Sequence, residues 1–437
     1  MKQYRTVIKT NKFPQLTRRV FTTADGLKSD NVTAMRFDNN GVLFVGTDKG
    51  LARFDGEKFS PVSIGAKDAA VSMIYFNAEN HMFIGVGNSM MEFDGKKKLS
   101  EKKFSSGLVD IKVDLDGATW ILTESVLYKL GENGYDIEIG VPGKGSCLAV
   151  YKNNKVYVGT AGGGLHALVG KRWHWSELME GVTGILSNTI TCLYMDPVGS
   201  IWVGTDKGVC VYDDNSYWLD HSKIVGLPDA HITGMAIAEN GDKYFSTTTG
   251  LIHQHNGRLS YYGYKRWLPS PNATGVAISP DGSICVSTDK GISLFETKMI
   301  SLREKANILR AQTEKYNVRY GYVIDRDLEH EGVLSTDEGN ILASDNEGLW
   351  TGLYTAALCF EYACTKDPEV RKDAHRSLLA MIRLTEITGI DGFFARAIRY
   401  SDAVDYGTGA RHEWHVTKDA EGRECEWLGE TSSDEVV

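Results

Sequence analysis

The chain has only seven cysteines in 437 residues, and no Cys-x-x-Cys pair among them. That spacing excludes the common zinc and dithiol motifs. Cys192, Cys210 and Cys285 sit in apolar strand patterns, where a free thiol behaves as a small hydrophobe. All seven are read as reduced, which suits a cytoplasmic location. No secretory leader is legible either, because Met1 to Lys12 holds no apolar core. No run approaches the roughly 18 apolar residues that a membrane helix needs. Positive charge is short: 48 Lys and Arg stand against 57 Asp and Glu, a net charge of -9. Nucleic-acid binding rests on cations that neutralise phosphates, so that class is excluded. The same charge disfavours anionic membranes. The phosphate-binding and dinucleotide-binding glycine loops and the Gly-x-Ser-x-Gly elbow are absent, and no cofactor is expected.

What the chain does have is repetition. Phe44-Val45-Gly46-Thr47-Asp48-Lys49-Gly50-Leu51 returns almost unchanged as Trp202-Val203-Gly204-Thr205-Asp206-Lys207-Gly208-Val209. Further copies run from Tyr157, Tyr244 and Cys285, with weaker ones at Phe83 and Trp120. The anchor positions are 46, 85, 122, 159, 204, 246 and 287, spaced about 37 to 45 residues apart. That is the length of a four-stranded propeller blade. Upstream of each anchor lies another strand and, in most copies, an Asp/Asn/Gly turn such as Asp38-Asn39-Asn40-Gly41, which favours a tight hairpin. The small residue before Thr is expected to let strands pack closely. The seventh repeat lacks an outer strand, and Arg18-Arg19-Val20-Phe21-Thr22 fits that slot. The expected fold is therefore mainly β: a seven-bladed β-propeller over residues 1–300, closed by its N-terminal strand.

Ala24-Asp25-Gly26-Leu27-Lys28-Ser29-Asp30-Asn31-Val32-Thr33 followed by Val45 to Leu51, and Gly184 to Thr191 followed by Trp202 to Thr205, resemble the two-component-regulator propeller family. The resemblance covers about two thirds of the chain. It is specific for fold and says little of function, since propellers host binding, signalling and catalysis alike.

After Ile300 the period stops. Leu302 to Tyr316 reads as a connecting helix without Gly or Pro. Asn317 to Leu342 is mixed and loop-like, so 301–341 is taken as a connector. Leu349 to Ala363 is helical and nearly apolar all round, which predicts a buried helix. Asp367-Pro368-Glu369 opens a second helix with an N-cap and a proline at its first position. The pair makes an α-hairpin, the unit of an α/α toroid. Residues 342–437 are thus expected to form a short α-helical segment, a partial α/α toroid.

Lys265-Arg266-Trp267-Leu268-Pro269, Ser344 to Thr351, Gly392-Phe393-Phe394-Ala395-Arg396 and Trp427 to Glu435 resemble a propeller-plus-helical-barrel family of bacterial and fungal glycan-degrading proteins, of rhamnose–glucuronate lyase type. The resemblance implies more helices than 342–437 can hold, and hence a C-terminally truncated toroid. The polar cluster there is Asp345, Arg396, His412, His415, Asp434 and Glu435, with Trp350, Trp414 and Trp427. A lyase must neutralise a uronate carboxylate and remove the adjacent proton, which suits Arg396 as clamp and His415 as proton carrier. A hydrolase needs two carboxylates, and Asp345 with Asp434 or Glu435 can supply them. Trp350, Trp427, Lys265, Arg266 and Trp267 are the substrate-binding candidates. His412-Glu413-Trp414-His415 lacks the i, i+4 spacing of two ligands on one helix face, so no metal is expected. His231, His253 and His255 are read as rim or face residues of strands.

Two functions stay open. One is a carbohydrate-active protein that acts on or binds an acidic glycan, lyase-like or glycosidase-like and incomplete as an enzyme. The other is a non-catalytic propeller that binds a small ligand or a protein. Exposed apolar helix faces predict a homo-oligomer.

Overall fold

A threonine at the end of a strand explains the repeat. In the sheet built from Val32–Phe37, Leu43–Thr47, Gly50–Phe54 and Phe59–Val62, Thr47 is fully buried. Its hydroxyl donates to the Gly50 carbonyl at 3.1 Å and accepts from the Lys49 amide at 3.1 Å. Both bonds lie inside one hairpin, so the side chain fixes the turn that follows it. Thr205, Thr247 and Thr288 repeat the pair, while Thr123 and Thr160 bond to the carbonyls of Val126 and Gly164. Before the same strand, Asp38 accepts from the amides of Asn40 and Val42 and closes the preceding turn. Asp114 and Asp196 do likewise, and each also receives an indole N–H, from Trp120 at 2.9 Å and Trp202 at 3.4 Å.

The computed structural model describes residues 11–65, 68–131, 134–152, 155–175, 185–212, 218–327, 340–343, 346–401, 404–405 and 414–429. The chain divides into two compact units: Gln15–Lys298, and Met1–Pro14 with Met299–Val437. Among the described residues the first unit holds seven four-stranded sheets. Six use consecutive strands. The last orders Ala273–Ile278, Ile284–Thr288 and Gly291–Ile300, then takes Phe13–Phe21 as its outer strand. Arg19 clamps that join with two bonds to the Glu296 carboxylate, both 3.0 Å.

Neighbouring sheets meet through their first strands, and the seventh adjoins the first. Each first strand shifts register around its second residue against the strand beside it, as at Val32/Ala34 and Ile190/Cys192. A bulge of this kind re-aims a side chain. The bulged residue is Thr33, Ser72, Ser146 or Thr233 in four of the sheets. Their hydroxyls reach the first strand of the next sheet, at the carbonyls of Val71, Leu108, Ile190 and Ala273. The small residue before the threonine has a matching cause. A Cβ on Gly159 would lie 2.5 Å from Cys147 Sγ and 2.6 Å from an Ile190 methyl. The core is a series of layers between successive sheets, such as Trp120, Leu122 and Leu127 against Leu148, Val156 and Val158. This unit is a β-propeller.

The second unit begins with the helix Leu302–Tyr316, entered through a Ser301/Glu304 capping box. The helices Glu347–Thr365 and Pro368–Glu386 follow, the second capped by the Asp367 carboxylate on the Glu369 amide at 2.9 Å. Two expectations change here. The first helix of the pair buries only one side, through Gly348, Thr351, Thr355 and Leu358, whereas Leu353 and Phe360 are 64% and 74% exposed. After Glu386 the described elements are strands rather than helices. Ala397–Arg399, Glu424–Leu428 and Trp414–Lys418 form one sheet in that order. Its hairpin turns on Asp419, whose carboxylate accepts from the amides of Glu421 and Arg423, as Asp38 does in the propeller. The region expected to be loop-like also carries short strands, Val318–Arg319, Tyr322–Val323, Asp325–Asp327 and Asn340–Ala343.

Candidate functional site

Of the catalytic candidates, Arg396 and His415 fall within the described residues; Asp345 and Glu435 lie outside them, as do His412 and Asp434. Arg396 is 8% exposed and stands at the entrance to the strand Ala397–Arg399, its amide donating to the Leu428 carbonyl. His415 lies two strands away, directly opposite Trp427. Its imidazole stacks on that indole with centroids 4.2 Å apart. Trp427 is itself buried and also meets Phe393, so the imidazole already occupies a face that a sugar ring would need. Trp350 is half-buried on the helix Glu347–Thr365. In the propeller, Trp267 packs against Tyr262 and Phe295, Arg266 lies over Trp267, and the Lys265 carbonyl accepts from Arg18.

The C-terminal unit gathers other polar groups that the sequence did not single out. A small cavity is lined by Arg319, Tyr320, Tyr322 and Glu347 with Ile324, Ala343 and Ile398. Tyr322 and Glu347 are each 1% exposed. The Tyr400 hydroxyl donates to Asp419 at 2.9 Å, and Arg423 lies over both Tyr320 and Tyr400. Burial pushes the Tyr322 hydroxyl up, and burial together with the Asp419 bond pushes Tyr400 up to about 12. Both phenols therefore hold their protons at neutral pH. Burial also works to raise the Asp419 carboxyl, but bonds from Arg423 and Tyr400 outweigh it and bring it to about 2.

The propeller carries an open groove of about 470 Å³ with a different chemistry. Leu51, Pro61, Val62 and Ile64 give it apolar walls, and Lys28, Lys49 and Asp68 give it charge. Lys49 sits in the hairpin that Thr47 fixes, and the stem of Lys28 runs beside Gly50. Both lysines are exposed, and neither is in an ion pair with the described residues.

A third group lies on the sixth sheet. Asp242 stands just after a turn and is 8% exposed. One of its oxygens is 3.1 Å from His253 Nε2, and the other is 2.5 Å from His255 Nδ1. One donor atom from each of the three residues lies within 4.8 Å of the others. The sequence signal was a His-x-His pair on one strand face.

Residues 184–207 match the two component regulator propeller. Compared by sequence with curated proteins, the chain has no match. Among solved structures it is similar to the extracellular domain of a hybrid two component system of B. thetaiotaomicron, at 15% identity over 64% of this chain and 42% of that one, with a TM-score of 0.55. It is similar to the extracellular domain of a one component system of the same organism, at 19% identity over 64% of this chain and 39% of that one, with a TM-score of 0.53. Virginiamycin B lyase from Staphylococcus aureus matches at 10% identity over 66% of this chain and all of that one, with a TM-score of 0.52. The chain thus spans less than half the length of the two regulator domains, and the shared property is the propeller fold. Among the described residues no helix is long and apolar enough to cross a membrane. The cytoplasmic reading draws no support from these likenesses, since two of the similar structures are extracellular domains.

Proposed function

We propose that this chain is a ligand-recognition module of sensor type, its seven sheets serving as the seven blades of one propeller ring, and that its ligand is acidic and of the carbohydrate class. The observation that carries the reading is the groove beside Lys28 and Lys49. Two ammonium groups with no ion-pair partner among the described residues flank apolar walls, in a propeller that shares its fold with extracellular regulator domains. Such a groove suits a uronate, whose carboxylate meets the lysines while the sugar's apolar face covers Pro61 and Val62. The test is calorimetric titration with uronate-containing oligosaccharides and their neutral counterparts. Acidic sugars are expected to bind, and Lys28→Gln with Lys49→Gln to weaken them by about 10- to 100-fold, the loss of charge-assisted bonds. Equal binding of neutral and acidic sugars, or no effect of the double substitution, refutes it.

A lyase-type enzyme is the second reading, favoured by the half-buried Arg319 beside the buried Tyr322 and Glu347 in the C-terminal cavity. An arginine there suits a uronate carboxylate. The phenols hold their protons, so they suit proton donation rather than abstraction. Growth of absorbance in the unsaturated-uronate band, lost in Arg319→Gln, would establish this reading in place of the first. The exposed Leu353 and Phe360 support self-association of the chain, which sedimentation of Phe360→Arg against the parent tests.

A further inference from the structure

The sixth sheet departs at one turn from the first, third and fifth. In the first, third and fifth sheets a turn aspartate, Asp38, Asp114 or Asp196, spends one carboxylate oxygen on two amides of its own turn. In the sixth sheet Ala238 occupies that place. Asn240 takes over part of the task, accepting from the Asp242 amide at 3.0 Å. The carboxylate has moved to Asp242, where both oxygens face imidazoles rather than the turn.

The imidazoles are held in place. His253 and His255 are two apart on the strand Gly250–His255, so they point to the same face. The His253 ring stacks on Tyr244 with centroids 4.4 Å apart and planes 4° from parallel. Asn256 Nδ2 lies 2.9 Å from His255 Nε2. For Nδ1 to ligate a metal Nε2 must carry the ring proton, and the Asn256 amide, turned to present its oxygen, accepts that proton and leaves the Nδ1 lone pair facing Asp242. Lys243, next in the chain to Asp242, is turned away toward the Gly241 carbonyl and the Trp202 ring. Arg258 pairs opposite His255 across the hairpin and is exposed.

We propose that Asp242, His253 and His255 bind one divalent transition-metal ion of the zinc class. Two neutral imidazoles and one carboxylate are a donor set such ions accept, with three protein ligands and one position left for water or an oxygen ligand. Bond lengths of about 2.0–2.2 Å put neighbouring donors about 3.3 Å apart in a tetrahedron. The His253 to Asp242 separation of 3.1 Å already fits. The His255 pair is closer, and that imidazole, 54% exposed at the end of its strand, has room to draw back. This inference uses none of the groove residues, so it stands or falls apart from the function proposed above.

The test is calorimetric titration of the whole, tag-free, chelator-treated chain with Zn²⁺, repeated with Co²⁺ while the visible spectrum is followed. One ion per chain is expected, with cobalt absorption of a low-coordinate nitrogen and oxygen site and a raised unfolding temperature. His253→Gln should weaken binding by at least about 100-fold, more than the loss of an outer-shell partner costs. Because Asp242 and His253 are largely buried, His255→Gln is the second variant; its exposed side chain keeps the fold at little risk, and it too must weaken binding. His415→Gln and Cys359→Ser should leave it unchanged. No stoichiometric binding, or binding undiminished in both His253→Gln and His255→Gln, overturns the proposal.

Discussion

Replacing Thr205 by valine isolates what the repeated threonine does. The two side chains have the same shape, and both are β-branched and at home in a strand, so neither a cavity nor a change in propensity follows. What is lost is the hydroxyl, fully buried, which donates to Gly208 at 2.9 Å and accepts from Lys207 at 3.1 Å. Leaving buried partners of such bonds unmatched costs about 1–3 kcal/mol. Thr205→Val should therefore lower the urea midpoint by the equivalent of that energy at unchanged slope. The second sheet offers the reverse experiment, because Val86 already stands at this place. Val86→Thr should raise stability by about 0.5–1.5 kcal/mol if the hydroxyl finds the same partners. A Thr205→Val protein within about 0.5 kcal/mol of the parent, the range of an inert surface change, would show that the hairpin does not depend on the hydroxyl.

Three further outcomes follow from the geometry. Gly204→Ala puts a Cβ 2.4 Å from Cys192 Sγ and 3.0 Å from an Ile232 methyl, and should cost about 1–3 kcal/mol in urea unfolding, partly restored by Cys192→Ala. Arg19→Ala removes a half-exposed bidentate pair, so its loss should be only about 0.5–1 kcal/mol, and a double-mutant cycle with Glu296→Ala should show coupling of that size. The Asp419 carboxyl titrates at about 2 against an ordinary 3.8, so its contribution is present above about pH 4 and disappears as pH falls through 2. Circular dichroism of the Asp419→Asn protein should show that part of the acid-unfolding slope missing.

The propeller was legible because its rules are local. Thr47, Gly50 and Asp38 make their bonds within a few residues, so the repeat is visible in the string itself. The helices Leu302–Tyr316 and Pro368–Glu386 were legible for the same reason, from composition, capping and periodicity. The sheet near the C-terminus was harder, since Ala397 pairs with Leu428 and its strands are short. Its one local signal, Asp419-Ala420-Glu421-Gly422, has the same turn logic as Asp38-Asn39-Asn40-Gly41 but stands outside the period. The site residues were least legible. Arg319, Tyr322, Glu347 and Ile398 converge from separate elements. The pairing of Asp242 with two histidines goes with Ala238 lacking the carboxylate that Asp38, Asp114 and Asp196 carry at the same place.

The join between the strand Phe13–Phe21 and the last sheet has a consequence for synthesis. Thr17 donates to the carbonyl of Glu296, 279 residues later. On the ribosome the early strand must wait, its edge unpaired, until nearly all of the propeller has emerged. The entropic toll of such a long closure grows only with the logarithm of its length, so waiting costs little in final stability and much in time. During that interval the exposed edge is the place where a neighbouring nascent chain can pair in error.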